Sequence, residues 1–180
     1  MTRSAGKSNL VLIGMPGVGK STVGVLLAKA AARHFLDTDV HIQAHEGRTL
    51  QAILAADGRE AFCRLEERYT LALDLRGHVI ATGGSVVYSD RAMRHLAAAG
   101  TVIWLRLPLA VLERRLSDVA WRGIVMSPGQ TLAEVFAERE PLYAKWAELA
   151  VDTEGMKADE VAGAILGRLA RPRDIRPPRV

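Results

Sequence analysis

One cysteine in 180 residues, Cys63, excludes an intramolecular disulfide and any cysteine-rich zinc site, and it agrees with a reducing compartment. No apolar run approaches the roughly 20 residues that a membrane span requires, so no membrane partner is expected. Ahead of Leu10 no apolar segment follows a basic one, which leaves nothing that reads as a secretory signal and makes the cytoplasm the expected location. Internal repeats are lacking as well. Acidic residues are scarce at one end: residues 171–180 hold Arg171, Arg173, Arg176 and Arg179 against Asp174 alone, which is +3 of the net +4. The remainder is close to neutral. The pI near 9.6 therefore describes a solvated Pro/Arg-rich tail, expected to be disordered, and not a nucleic-acid surface.

What is present is a globular mixture, 49% hydrophobic and 24% charged. The length fits one domain, expected over residues 1–170, able to bury about 70% of the surface that its unfolded form exposes. The strongest local signal is Asn9 to Ala28, which contains Gly14-x-x-x-x-Gly19-Lys20-Ser21. The apolar run Leu10 to Ile13 supplies a strand before it; Val23, Leu26, Leu27 and Ala30 supply the apolar face of a helix after it. In that setting glycines let backbone N–H groups approach phosphates, Lys20 reaches the terminal ones, and the Ser21 hydroxyl can ligate magnesium. The helix N-terminus adds a favourable dipole. Gly17, Val18, Gly19, Lys20, Ser21 and Thr22 are thus the candidate contacts for a nucleoside triphosphate. The shorter Ala5-Gly6-Lys7-Ser8 has neither the first glycine nor a preceding strand.

Strand-like runs recur at Leu10–Ile13, Phe35–Leu36, Val79–Ala81, Val102–Leu107 and Leu149–Val151, separated by helical patterns. Such alternation predicts a parallel sheet in a three-layer α/β fold, with ligands at the carboxyl ends of the strands. A helical stretch from about Thr49 to Leu75, broken near Asp57-Gly58, suits a substrate-facing insertion within a helical region at about 40–75. Periodicity is lost around Asp118 to Gln130, where Gly123, Pro128 and Gly129 appear; this reads as a mobile lid at about 117–130. Helices are expected from about Thr131 to Glu148 and from Ala158 to Leu169.

Asp37-Thr38-Asp39 closes the second run, and strand alternation would turn both carboxylates to one side. One could hold the magnesium hydration shell while the other orients an acceptor hydroxyl and takes its proton. Thr82-Gly83-Gly84-Ser85 leaves bare backbone at a third strand end, where a substrate could lie. Arg122, in the irregular loop, is a candidate lid arginine that neutralises charge on the transferring phosphoryl group. Arg139 stands in Arg139-Glu140-Pro141-Leu142-Tyr143.

Together these features resemble the shikimate kinase family, a branch of the nucleoside monophosphate kinase-like P-loop proteins. The resemblance runs from about Asn9 to Ala170 and rests on Gly14 to Thr22, Phe35-Leu36-Asp37-Thr38-Asp39, Gly83-Gly84, the Arg122 lid and Arg139 to Tyr143. It implies ATP-dependent phosphorylation of a ring hydroxyl, in aromatic amino acid biosynthesis, on a five-stranded parallel sheet of order 2-3-1-4-5. It also implies that Ser21 and Asp37 hold Mg2+ and that Lys20 contacts the phosphates. Asp39 would bind the acceptor hydroxyls and act as base, Arg122 would cover ATP, and Arg139 would hold the substrate carboxylate. A small-molecule hydroxylated acceptor is the expected partner, shikimate first, and a monomer the expected assembly.

The chain departs from the family pattern at the acceptor side. The family reads Phe-Arg-x-x-Glu where this chain reads Phe62-Cys63-Arg64-Leu65-Glu66, so one arginine of the carboxylate clamp is absent. A charge-assisted hydrogen bond contributes about 1.5–3 kcal/mol, and its loss alone weakens binding by roughly 10 to 150-fold. Arg64 points about 100° away on a helix. The family's triple glycine is Gly83-Gly84-Ser85 here, which brings a hydroxyl to the pocket. The lid reads Arg122-Gly123 instead of Arg-Pro, and Val151-Asp152-Thr153 continues without the usual arginine, leaving adenine to backbone and to Met156 or Lys157. The alternatives are a kinase of another hydroxy acid, of the homoserine or gluconate type, and more distantly a nucleic-acid-associated NTPase or a non-catalytic binding module.

Overall fold

Asn9-Leu10-Val11-Leu12-Ile13 has no polar alternation, the pattern of a strand covered on both faces, and it forms β1 (Asn9–Ile13), buried throughout. The computed structural model describes residues 7–117, 124–127 and 129–171; Arg122, half of the expected lid (118–123 and 128) and the tail beyond Arg171 lie outside them. After β1 come α1 (Lys20–Ala30), β2 (His34–Asp37), α2 (Thr38–Glu46), α3 (Leu50–Leu71), β3 (His78–Ala81), a 3-10 turn at Val86–Tyr88 and α4 (Asp90–Ala99). The rest is β4 (Gly100–Arg106), α5 (Leu109–Ser117), α6 (Leu132–Trp146), β5 (Leu149–Asp152) and α7 (Ala158–Leu169).

The strands form one parallel sheet in the order β2-β3-β1-β4-β5. In the register Val11 lies opposite Ile80 on one side and Val102 on the other. Strands joined in parallel need helical crossovers, and these give the α/β layering expected from the sequence: α1 packs against α7, while α4 packs against β1 and β4. The core lies around the central strands, with Leu12, Ile13, Leu27, Met93, Ile103 and Ile165 wholly enclosed. β2 is an edge strand and is only partly covered.

Two features position the site. Strand order reverses beside β1, whose neighbours are β3 and β4, so a crevice opens at the carboxyl ends of these strands. A second, smaller apolar cluster of Ile42, Ile53, Phe62 and Val125 holds α2 and α3 over that crevice. α3 is capped by Thr49, whose hydroxyl accepts from the Ala52 N–H at 3.1 Å, and it is interrupted at Gly58 (φ 79°, ψ 171°).

Candidate active site

The loop between β1 and α1 takes its shape from three glycines at positive φ: Gly14 at 144°, Gly17 at 79° and Gly19 at 100°. A Cβ on Gly14 would also stand 2.5 Å from the Leu105 carbonyl oxygen. Gly19 is the N-cap of α1 and has no side chain to cap it, and the first turn carries no acidic residue. The opening N–H groups of α1 are thus left for an anion. The Lys20 ammonium is buried and donates to the carbonyls of Gly14 (2.8 Å) and Met15 (3.0 Å). Burial pulls its pKa down to about 8 against the opposing fields of Asp39, Asp37 and Glu66. Ser21 and Thr22 are exposed beside it. Val18 is buried, its side chain packed near Gly14, so what it offers a ligand is backbone.

Asp37 and Asp39 do not alternate along a strand, as the pleat argument expected. β2 ends at Asp37, which caps α2: its Oδ1 accepts from the N–H groups of Asp39 (2.9 Å) and Val40 (3.2 Å). Asp39 then sits in the first turn of α2. The helix begins at once because the Asp37 carboxylate satisfies its free N–H groups. Thr38 between them is buried, and its hydroxyl accepts from the Gly83 N–H at 3.0 Å. Thr82 in turn joins the same loop to β1 through the Leu12 carbonyl.

A cavity of about 290 Å³ joins the phosphate loop to Asp39 and the glycine loop, lined by Gly17, Gly19, Lys20, Ser21, Thr22, Asp39, Gly83, Gly84, Ser85 and Arg139 among others, while Asp37 is not part of its lining. At Gly83 an added Cβ would stand 2.2 Å from Glu66 Oε1 and 2.7 Å from Asp39 Oδ1. At Gly84 it would meet the Pro16 ring at 2.8 Å and Arg139 Nη1 at 3.1 Å. The bare backbone is a fitted surface for these reasons. Burial pushes the Asp39 carboxyl up to about 6, in spite of the nearby Lys20 charge, with Asp37 adding to the rise.

Arg139, on α6, is completely buried. Its Nε donates to the Tyr88 hydroxyl at 3.0 Å, its Nη2 donates to the Val125 carbonyl, and its Nη1 has no hydrogen-bond partner among the described residues. Tyr143, one turn on, donates to the Gly84 carbonyl at 2.6 Å and pins the glycine loop to α6. An orphaned donor on a buried guanidinium is costly unless a ligand supplies the acceptor.

Glu66 was not singled out by its sequence context, yet it is central. It is buried, Oε2 accepts from the Ser85 hydroxyl at 2.7 Å, and Oε1 has no hydrogen-bond partner among the described residues. Burial raises its pKa to about 7. The half-buried Cys63 lies in the wall beside this pair and not on the main cavity, in an adjoining hollow shared with Glu66, Ser85 and Tyr88. Burial and the Glu66 charge push its thiol pKa up. Arg64 is turned out to solvent beside Glu60.

A profile of the family described as Shikimate kinase matches residues 16–170. The chain belongs to the shikimate kinase family. A shikimate kinase from Rhizobium meliloti is 35% identical over 171 residues, which cover 93% of this chain and 88% of that one. One from Mycobacterium tuberculosis is 38% identical over 166 residues, 90% of this chain and 93% of the relative. Among solved structures, shikimate kinase from Acinetobacter baumannii in complex with shikimate superposes with a TM-score of 0.84 at 29% identity, covering 92% of this chain and 94% of that one. The Aquifex aeolicus enzyme gives 0.77 at 31% identity, covering 90% and 96%. As a member of the shikimate kinase family the chain is an ATP-dependent kinase that phosphorylates a hydroxyl.

Proposed function

We propose that this chain transfers the γ-phosphoryl group of ATP to a hydroxyl of shikimate, giving shikimate 3-phosphate for aromatic amino acid biosynthesis. One observation carries the reading: a single cavity holds the phosphate loop with Lys20 at one end and, at the other, Asp39 with the unpartnered Nη1 of the buried Arg139. An acceptor that brings a hydroxyl to Asp39 and a carboxylate to Arg139 fits both ends.

Lys20 and the N–H groups of Gly17 to Thr22 bind and orient the phosphates, and the first turn of α1 carries no acidic side chain to compete for its N–H groups. Ser21 and Asp37 would hold Mg2+, hard oxygen ligands suited to a hard cation; when bound, it offsets charge on the phosphate oxygens. Asp39, ionised at neutral pH, takes the proton of the attacking hydroxyl. Gly83 and Gly84 bring bare backbone against the acceptor, Ser85 and Cys63 shape the wall behind it, and Arg139 anchors its carboxylate. Arg122 is assigned to covering ATP from a lid at about 117–130. The working assembly in this reading is a monomer in the cytoplasm, a reducing compartment that suits the lone Cys63 thiol.

The test is ADP release in a coupled assay. Shikimate and Mg2+ should both be required, kcat/KM should fall as pH drops through about 6 and Asp39 takes up its proton, and Asp39→Asn should lose roughly 10²–10⁴ in rate. ADP release with gluconate or homoserine but not with shikimate would replace the acceptor. Release stimulated only by RNA or DNA would replace the class.

A further inference from the structure

Arg139 keeps its Nη1 open to an incoming carboxylate among the described residues, while Tyr88 holds Nε and the Val125 carbonyl holds one N–H of Nη2. A second cation beside Arg139 would add a charge-assisted hydrogen bond to the carboxylate, and the space beside Cys63 decides which one can supply it. Three guanidiniums act on the Cys63 thiol, those of Arg59, Arg139 and Arg64. Arg64 faces solvent. Arg59 lies one turn before Cys63 on the same face of α3, directly after the break at Gly58. Its Cζ is 5.0 Å from the centroid of the Tyr88 ring, and the Arg139 Cζ is 5.1 Å from that same centroid. The two guanidiniums therefore share one aromatic ring.

Arg59 also has room to move. A cleft of about 790 Å³ runs between Arg59, Cys63, Tyr88 and Ser127. Its present bonds, to Ser127 Oγ at 2.6 Å and Glu138 Oε1 at 3.2 Å, lie at the solvent edge. The buried Glu66 accepts from Ser85 through Oε2. We propose that Arg59 is a specificity-determining residue of the acceptor site, which crosses the Tyr88 ring into the space that the small Cys63 side chain leaves and binds the acceptor carboxylate jointly with Arg139. This rests on the acceptor reading given above and adds to it the residue that closes the clamp.

Steady-state kinetics of Arg59→Ala test it. The KM for shikimate should rise by roughly 10 to 150-fold, the effect of losing a charge-assisted hydrogen bond, while kcat and the KM for ATP stay unchanged. Shikimate methyl ester, which keeps the hydroxyls and lacks the carboxylate charge, should show the same KM with parent and variant. Cys63→Arg in the Arg59→Ala background should recover the shikimate KM. An unchanged shikimate KM in Arg59→Ala overturns this inference and leaves the acceptor reading standing. Equal losses on shikimate and its ester overturn it too, since Arg59 would then only brace the Ser127 segment. A parent with no turnover on shikimate overturns both.

Discussion

Burial pushes the Glu66 carboxyl from about 4.5 in the unfolded chain up to about 7, past the opposing pull of Ser85, Arg139 and Lys20. The folded-state pKa is the higher one, so the neutral form is accommodated below about 4.5 and stability is lost as pH rises through 7. A shift of this size corresponds to roughly 3 kcal/mol at alkaline pH. Glu66→Gln removes that cost while keeping an oxygen for Ser85 and turning an amide toward Asp39. Its melting temperature should match the parent at pH 5 and exceed it at pH 8 by roughly 5–10 °C; an equal difference at both pH values would mean that packing, not charge, is responsible. Nothing local in Leu65-Glu66-Glu67-Arg68 marks Glu66 as buried. The residues that enclose it, Gly83 and Ser85, lie in another element. Gly14, Gly19 and Lys20 could be read from sequence because a phosphate loop makes demands on consecutive backbone, which a linear pattern records.

α3 shows how an element sets the acceptor wall. The Asp57-Gly58 dipeptide signals a break, and the structure realises it as one non-helical residue between two helical halves. At φ 79° and ψ 171° Gly58 occupies backbone space that is essentially closed to other residues, and nothing lies within 4 Å of an added Cβ. Gly58→Ala should therefore cost about 1–3 kcal/mol from backbone strain alone, seen in a thermal melt as a fall of roughly 2–12 °C. Because the second half of α3 carries Arg59, Phe62 and Glu66, the KM for the acceptor should rise while that for ATP holds. Parental stability and kinetics would make the break incidental. The strands were legible for a comparable reason, since central parallel strands are covered on both faces and read as unbroken apolar runs. The start of α2 was not: Asp37 acts as a cap, and a carboxylate that ends a strand looks the same in sequence as one that opens a helix.

Across the whole molecule, the two ends of the site have separate supports. The nucleotide end is one continuous piece, β1 to α1, and its motif is contiguous. The acceptor end is assembled from α2, α3, the loop after β3 and α6, joined through Thr38 to Gly83 and Tyr143 to Gly84, which is why local patterns marked the Asp37/Asp39 pair and the Gly83–Ser85 backbone separately and only a family resemblance added the role of Arg139. Separate supports imply separable binding. A ligand at about 100 times its Kd contributes about 2.7 kcal/mol, or roughly 5–10 °C for a chain of this size, so MgADP and shikimate should each raise the melting temperature. Lys20→Met should abolish the shift with MgADP and keep that with shikimate, because its ammonium serves the phosphate end. Arg139→Lys keeps a buried cation but loses the planar fork, and it should do the reverse. If either variant abolished both shifts equally, the two ends would be one cooperative unit, and the division of the site between β1–α1 and the α2–α3–α6 assembly would fail.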